Sequence, residues 1–144
     1  MTPYLRIIGL GEVLWDIFPD GDHFGGAPAN MACTAAGLLG PSGSVRLVSA
    51  LGDDQRGRDA ITFLKQRHVN VSELQITDAP TGTVTVKLND SGQPLFNISK
   101  NSAWDNIVWS ECWHDLAANV DAIYFGSLAQ RGTTSRNTTQ QFIG

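Results

Sequence analysis

The sequence is short of the features that mark several functional classes. It has two cysteines in 144 residues. Cys33 and Cys112 stand far apart and belong to no Cys-x-x-Cys pair, so a disulfide framework is excluded and reduced thiols are expected. No apolar run approaches the roughly 20 residues that a bilayer-crossing helix needs. The segment Met1-Thr2-Pro3-Tyr4-Leu5-Arg6-Ile7-Ile8 lacks the basic start and long apolar core of a signal peptide. A cytoplasmic protein, away from membranes, is therefore expected. Lysine and arginine total 10 against 14 acidic residues, a net charge of −4. They form no basic block, so nucleic acid is not an expected partner. His23, His68 and His114 have no His-x-x-x-His spacing, and no metal ligand is assigned. A hydrophobic share of 42% with 17% charged residues describes one globular domain of ordinary size.

What the chain does have is a bare bend that runs into a small-residue helix: Phe24-Gly25-Gly26-Ala27-Pro28-Ala29-Asn30-Met31-Ala32. Two successive glycines leave backbone that a ligand can approach within hydrogen-bonding distance. Pro28 has its φ preset for a first helical turn, and Asn30 falls among the free N–H groups of that turn. The combination suits a neutral polyol or an anion. It equally suits an ordinary tight turn before a helix. Upstream, Val13 to Phe18 reads as a strand in which Leu14, Asp16 and Phe18 share a face. Asp16 is thus a carboxylate between two large apolar side chains. An unpaired buried carboxylate is costly, so it needs donors, and two neighbouring sugar hydroxyls would supply them. The alternative is an exposed aspartate near the turn at Pro19-Asp20-Gly21. Gly9-Leu10-Gly11 is half of a dinucleotide fingerprint. Leu14 holds the third glycine's place, and a β-prone segment follows instead of a helix.

The remaining segments alternate. Leu5 to Ile8 is a strand, Pro28 to Leu39 a helix faced with Ala32, Ala35, Ala36 and Leu39, and Val45 to Leu51 a strand: the order of a βαβ unit. In Gly52-Asp53-Asp54-Gln55-Arg56-Gly57 either aspartate can cap the next helix, which turns Ala60, Ile61 and Leu64 inward. Ser72 to Thr77 can form a strand. Thr83 to Leu88 alternates strictly, Asn89-Asp90-Ser91-Gly92 is a turn cluster, and Leu95 to Ile98 returns as an antiparallel hairpin. With Val13 to Phe18 the hairpin can form a small separate sheet covering Gly25-Gly26; it can also be an edge of the main sheet. Ser110 can cap a helix through Leu116 and Ala117. Trp104, Trp109 and Trp113 are expected in the core. Asp121 to Phe125 reads as a buried strand, and a last helix begins at Thr133. The chain stops in mid-pattern, so half of a larger protein is expected.

Together these stretches resemble the ribokinase-like carbohydrate kinases, the pfkB family, across nearly the whole chain but only over the N-terminal half of such a kinase. The carrying segments are Gly11-Glu12-Val13-Leu14-Trp15-Asp16, Gly25-Gly26-Ala27-Pro28-Ala29-Asn30-Met31-Ala32 and Gly52-Asp53-Asp54-Gln55-Arg56-Gly57. The hairpin at residues 83–98 looks like the family's lid, and Phe125-Gly126-Ser127-Leu128 like its next core strand. The resemblance implies an α/β, ribokinase-like fold: a partial doubly wound sheet with helices, plus a small antiparallel β lid with strands at about 13–24 and 72–98. It implies that Asp16 binds sugar hydroxyls, that Gly25, Gly26 and Asn30 contact the sugar, and that Phe96 closes over it. Ribose-specific members tend to carry Asn where this chain has Leu14 and Lys where it has Ala27. The paired glycines with Ala103-Trp104-Asp105 look more like the fructokinase branch, so fructose is the expected sugar.

The full-length enzyme is expected to move the γ-phosphoryl of ATP, with Mg²⁺, to a sugar hydroxyl. The family's Gly-Ala-Gly-Asp segment supplies the base and a helix N-terminus for the transferring group. No such segment occurs in these residues, and the family's magnesium-linked Asn-x-x-Glu segment is expected to be missing as well. Residues 1–144 are therefore expected to hold no catalytic, nucleotide-binding or metal-binding residue and to be inactive alone. A homodimer through the lid is expected from the apolar face of Val84, Val86 and Leu88. A stand-alone sugar-binding or regulatory module is one alternative. A kinase for a keto-deoxy sugar acid or a nucleoside is another.

Overall fold

The computed structural model describes residues 3–144. The chain runs through β1 (Leu5–Leu10), β2 (Leu14–Phe18), β3 (Gly21–Gly25), α1 (Ala27–Leu39), β4 (Gly43–Gly52), α2 (Gln55–Gln66), β5 (Leu74–Thr77), β6 (Gly82–Leu88), β7 (Pro94–Ile98), α3 (Trp113–Ala118), β8 (Ala122–Phe125) and α4 (Thr133–Ile143). Two four-stranded sheets result. The main sheet has the order β5-β4-β1-β8 and the smaller one β3-β2-β6-β7.

Every pairing in the main sheet is parallel. Strands buried on both faces need apolar residues at both parities. The β4 sequence supplies them. Val45, Leu47 and Leu51 pack with Ala29, Ala32 and Ala36 of α1 and Ala60 and Leu64 of α2. Val48 and Ala50 join Ile8, Leu10, Ile107, Trp113 and Phe142 on the opposite face. Helices thus cover both sides, as a doubly wound sheet requires. The alanine face lets α1 lie very close to β1: a Cβ at Gly9 would come within 2.9 Å of the Pro28 carbonyl oxygen.

Four expectations need correction. The smaller sheet is mixed: β2 pairs antiparallel with β3, and β6 with β7, but β2 and β6 are parallel. The strands arrive from separate excursions out of the main sheet, so no tight hairpin joins β2 to β6. The 72–98 stretch is not all lid, because β5 pairs with β4 in the main sheet. The strand at Asp121 to Phe125 is not buried. As β8 it is an edge, with Tyr124 45% and Phe125 47% exposed. Ser110 also caps α3 by no side-chain hydrogen bond; its hydroxyl lies 3.0 Å from Cys112 Sγ.

From β1 the order moves to β4 and β5 on one side, then returns to β8 on the other. In an open parallel sheet, the crevice outside the carboxyl ends of strands at such a switch point is where ligands bind. Here that point lies between β1 and β8.

Candidate functional site

At the carboxyl end of β1 the backbone turns sharply. Gly11 has φ 136°, and its N–H donates to the Val48 carbonyl at 3.1 Å. A Cβ there would meet Pro28 Cγ and the Gly126 nitrogen, both at 3.1 Å. The first turn of α1 and the end of β8 therefore converge on the joint between β1 and β2.

The strand that follows carries Asp16. Register places Asp16 opposite His23 on one side and Val84 on the other. Paired residues share a face, so Leu14, Asp16, Gly25, Val84, Val86 and Phe96 all belong to one face of the smaller sheet. Gly25 leaves room for the carboxylate: a Cβ at that position would lie 2.6 Å from Asp16 Oδ2. Asp16 is half-buried and accepts no side-chain or backbone hydrogen bond from the described residues. Burial pushes its pKa up, and His23 across the strand pulls it back down.

Gly26 is the N-cap of α1, with φ 105° and no side-chain capping bond. A residue with a Cβ would be strained at that φ and would run into the Glu12 carbonyl. The Asn30 N–H donates to the Gly26 carbonyl at 2.9 Å, which starts the helix. The Asn30 side chain is exposed and makes no hydrogen bond among the described residues. An unpaired carboxylate on β2, bare glycine backbone at the end of β3 and a free amide on α1 are groups that can accept from and donate to a polyhydroxy ligand. Phe96 sits farther out. It pairs with Val86 on β7, two strands from Asp16, and is 64% exposed.

The second acidic segment is structural. Asp54 caps α2: its Oδ1 accepts from Gly57 N–H at 2.8 Å and from the Thr81 hydroxyl at 2.7 Å, and its Oδ2 accepts from Thr81 N–H at 2.8 Å. These donors, with Arg56 nearby, hold its pKa below the usual aspartate value despite burial. Thr81 Oγ1 also accepts from Gly52 N–H at 3.0 Å, so the set ties the end of β4 to the root of β6. An Asn-x-x-Glu spacing does occur once, at Asn70-Val71-Ser72-Glu73. Its glutamate accepts from Arg46 and Trp113 at 2.8 Å each, beside the amino-terminal half of β4 and away from Gly25. Among the described residues no three acidic, histidine or cysteine side chains come together as a metal site.

A model of the pfkB family of carbohydrate kinases matches residues 20–142. The chain belongs to that family. A fructokinase of Salmonella typhimurium is 33% identical over 136 residues, 90% of this chain but 43% of that protein. A ribokinase of Mus musculus is 38% identical over 76 residues, 52% of this chain. Among solved structures, an uncharacterized sugar kinase of Pyrococcus horikoshii superposes with a TM-score of 0.80 at 27% identity, covering 96% of this chain and 48% of that one. A fructokinase of Vibrio cholerae solved with fructose, ADP and calcium gives 0.73 at 26% identity, covering 96% and 46%. The chain thus spans less than half the length of the Salmonella and Vibrio fructokinases.

Within this pfkB fold the sequence reading passed over three residues. Glu12 is buried to 2% exposure, and its Oε2 accepts from Ala129 N–H at 3.3 Å, 117 residues away. Burial pushes its pKa up. Leu128 packs against the cluster of Leu14, Val84 and Val86 of the smaller sheet. Arg131 forks onto Asp105 with two bonds of 2.7 Å and lies 4.0 Å over the Trp104 ring. Glu12 lies in a segment already singled out, yet its partners are too distant in sequence for spacing to reveal them.

Proposed function

We propose that the chain is the sugar-binding part of an ATP-dependent carbohydrate kinase with fructose as its acceptor. The observation that carries this reading is the unpaired Asp16 carboxylate lying over Gly25, the residue before the N-cap of α1. The fructokinase relatives and the fructose-bound neighbour support the choice of sugar. In this reading Asp16 accepts from two sugar hydroxyls, the Gly25-Gly26 backbone lets the ring approach, and Asn30 orients it through its side-chain amide. Phe96 covers the open side. Two copies pair through the exposed outer ends of β6 and β7. The free cysteines suit a reducing compartment, in keeping with a cytoplasmic enzyme.

ATP with Mg²⁺ supplies the phosphoryl group when bound. Among the described residues no three acidic, histidine or cysteine side chains cluster. What these residues contribute is position: they fix which hydroxyl is left out of these contacts. The test is calorimetric titration of fructose into the chain. Wild type is expected to bind, and Asp16→Ala to weaken binding at least about tenfold, since bonds to a charged acceptor contribute about 1.5–3 kcal/mol each. Equal affinity in the two proteins overturns the reading. Incubated with ATP, Mg²⁺ and fructose, the same preparation is expected to form no fructose phosphate; turnover would return the base to these residues.

A further inference from the structure

Glu12 is a buried carboxylate with no part in the sugar contacts above. It stands just past the carboxyl end of β1, where β1 and β8 run side by side with Leu10 opposite Phe125. The chain leaving β8 is laced to this point twice. Gly126 N–H donates to the Leu10 carbonyl at 2.9 Å, and Ala129 N–H donates to Glu12 Oε2 at 3.3 Å. Both carboxylate oxygens fill the space where any Cβ at residue 126 would stand. A glycine is therefore required there for the carboxylate to fit between the two strand exits.

The turn that Glu12 holds reaches the lid at two places. Leu128 packs against Leu14, Val84 and Val86, on the face that also carries Asp16. At the far end of the turn, Arg131 donates to the Ser99 carbonyl at 2.6 Å, just after β7 ends. The segment 126–131 thus bridges the start of β2 and the end of β7. At the main sheet it is held by the Glu12 carboxylate together with the Gly126–Leu10 bond. A carboxylate taken out of water is costly unless its bonds are required there.

We propose that Glu12 is a positioning residue: it fastens the 126–131 turn to the joint between β1 and β2, and through Leu128 it sets where the lid face bearing Asp16 stands relative to Gly25 and α1. This rests on the sugar-site reading for its effect on affinity, but not for its effect on the lid.

The test combines amide hydrogen exchange by NMR with fructose titration on the 144-residue chain. Glu12→Ala is expected to speed exchange about tenfold or more at Ala129 and also at Val84 and Val86, while α1 and α2 keep their protection. Fructose affinity is expected to fall by about tenfold. Glu12→Gln keeps an acceptor of the same shape and is expected to hold both readouts within about threefold of wild type. Unchanged exchange at Val84 and Val86, with Ala129 alone loosened, overturns the proposal, because Glu12 then serves only its own turn. Should Glu12→Ala not fold, Leu128→Ala decides. Loss of affinity with Ala129 still protected supports the linkage, and unaltered affinity overturns it. If wild type binds no fructose, the sugar reading fails by itself, and exchange at Val84 and Val86 in Glu12→Ala still decides this one.

Discussion

At the scale of single residues, the two glycines of the bend have different jobs. Gly26 is required by its backbone, since its φ is one that side chains rarely adopt. Gly25 is required by its neighbour. A methyl group there would press on Asp16 Oδ2, the end of a side chain that can swing away, and would lie 3.0 Å from Leu14 Cδ1. Gly25→Ala is therefore expected to change stability by less than about 1 kcal/mol while weakening fructose binding about tenfold or more. Denaturant unfolding and calorimetry on one preparation separate the two. Asp54 gives the opposite pattern, stability without binding. Asp54→Ala is expected to cost about 1–2 kcal/mol at neutral pH from the lost cap, with an unmatched Thr81 N–H adding to it. Its folded pKa is lowered, so its contribution is present above the ordinary aspartate value of 3.8 and is lost as pH falls through the lowered folded value. The gap between wild type and variant in urea melts should close below that pH. A gap that persists unchanged in acid would mean that charge is not what Asp54 supplies. Glu12 has the reverse sign: its raised pKa favours the fold below the usual glutamate range, and that contribution fades as pH rises through the folded value.

Among the elements, α1 and the smaller sheet carry the proposed sugar contacts. Ala29, Ala32 and Ala36 bring the helix close enough for its first turn to lie against Gly11 and Glu12. Close packing of this kind tolerates little added volume. The smaller sheet buries Leu14, Val84 and Val86 near its root. Farther out it leaves Leu88 71% and Phe96 64% exposed on the same face. Exposed neighbouring apolar groups on a strand pair favour association. Sedimentation is expected to show a dimer that Phe96→Asp dissociates. A wild type that stays monomeric across the accessible concentrations would remove lid pairing from the proposal.

At the scale of the whole molecule, the four parallel strands are unequal. β4 and β1 have neighbours on both sides, whereas β8, among the described residues, pairs only with β1 and shows two aromatic side chains half to solvent. Local opening is cheapest where backbone bonds are few and exposed. Exchange at Ile123 to Phe125 is expected to run about tenfold or more faster than at Leu47 to Ala50. Equal protection would show that β8 is stabilised by more than its single ladder.

Much of this organisation was legible in the residues. Alternation in Thr83 to Leu88, the alanine face after Pro28 and an aspartate cap at Asp53 or Asp54 are local patterns, and local sterics and hydrogen bonding act over a few positions. The same patterns picked out Asp16, Gly25, Gly26 and Asn30, because a carboxylate in an apolar strand and bare backbone before a helix are visible without a fold. Partner choice was not visible. Whether Ser72 to Thr77 joined the lid or the main sheet depended on which edge was free to pair, and β4 took it. The burial expected for Asp121 to Phe125 failed because periodicity reports side-chain type and not the number of neighbouring strands. The link from Glu12 to Gly126 and Ala129 spans most of the chain, and only the parallel pairing of β1 with β8 brings those ends together. Local chemistry was thus decided by the order of the amino acids, and the meeting of its parts by chain topology.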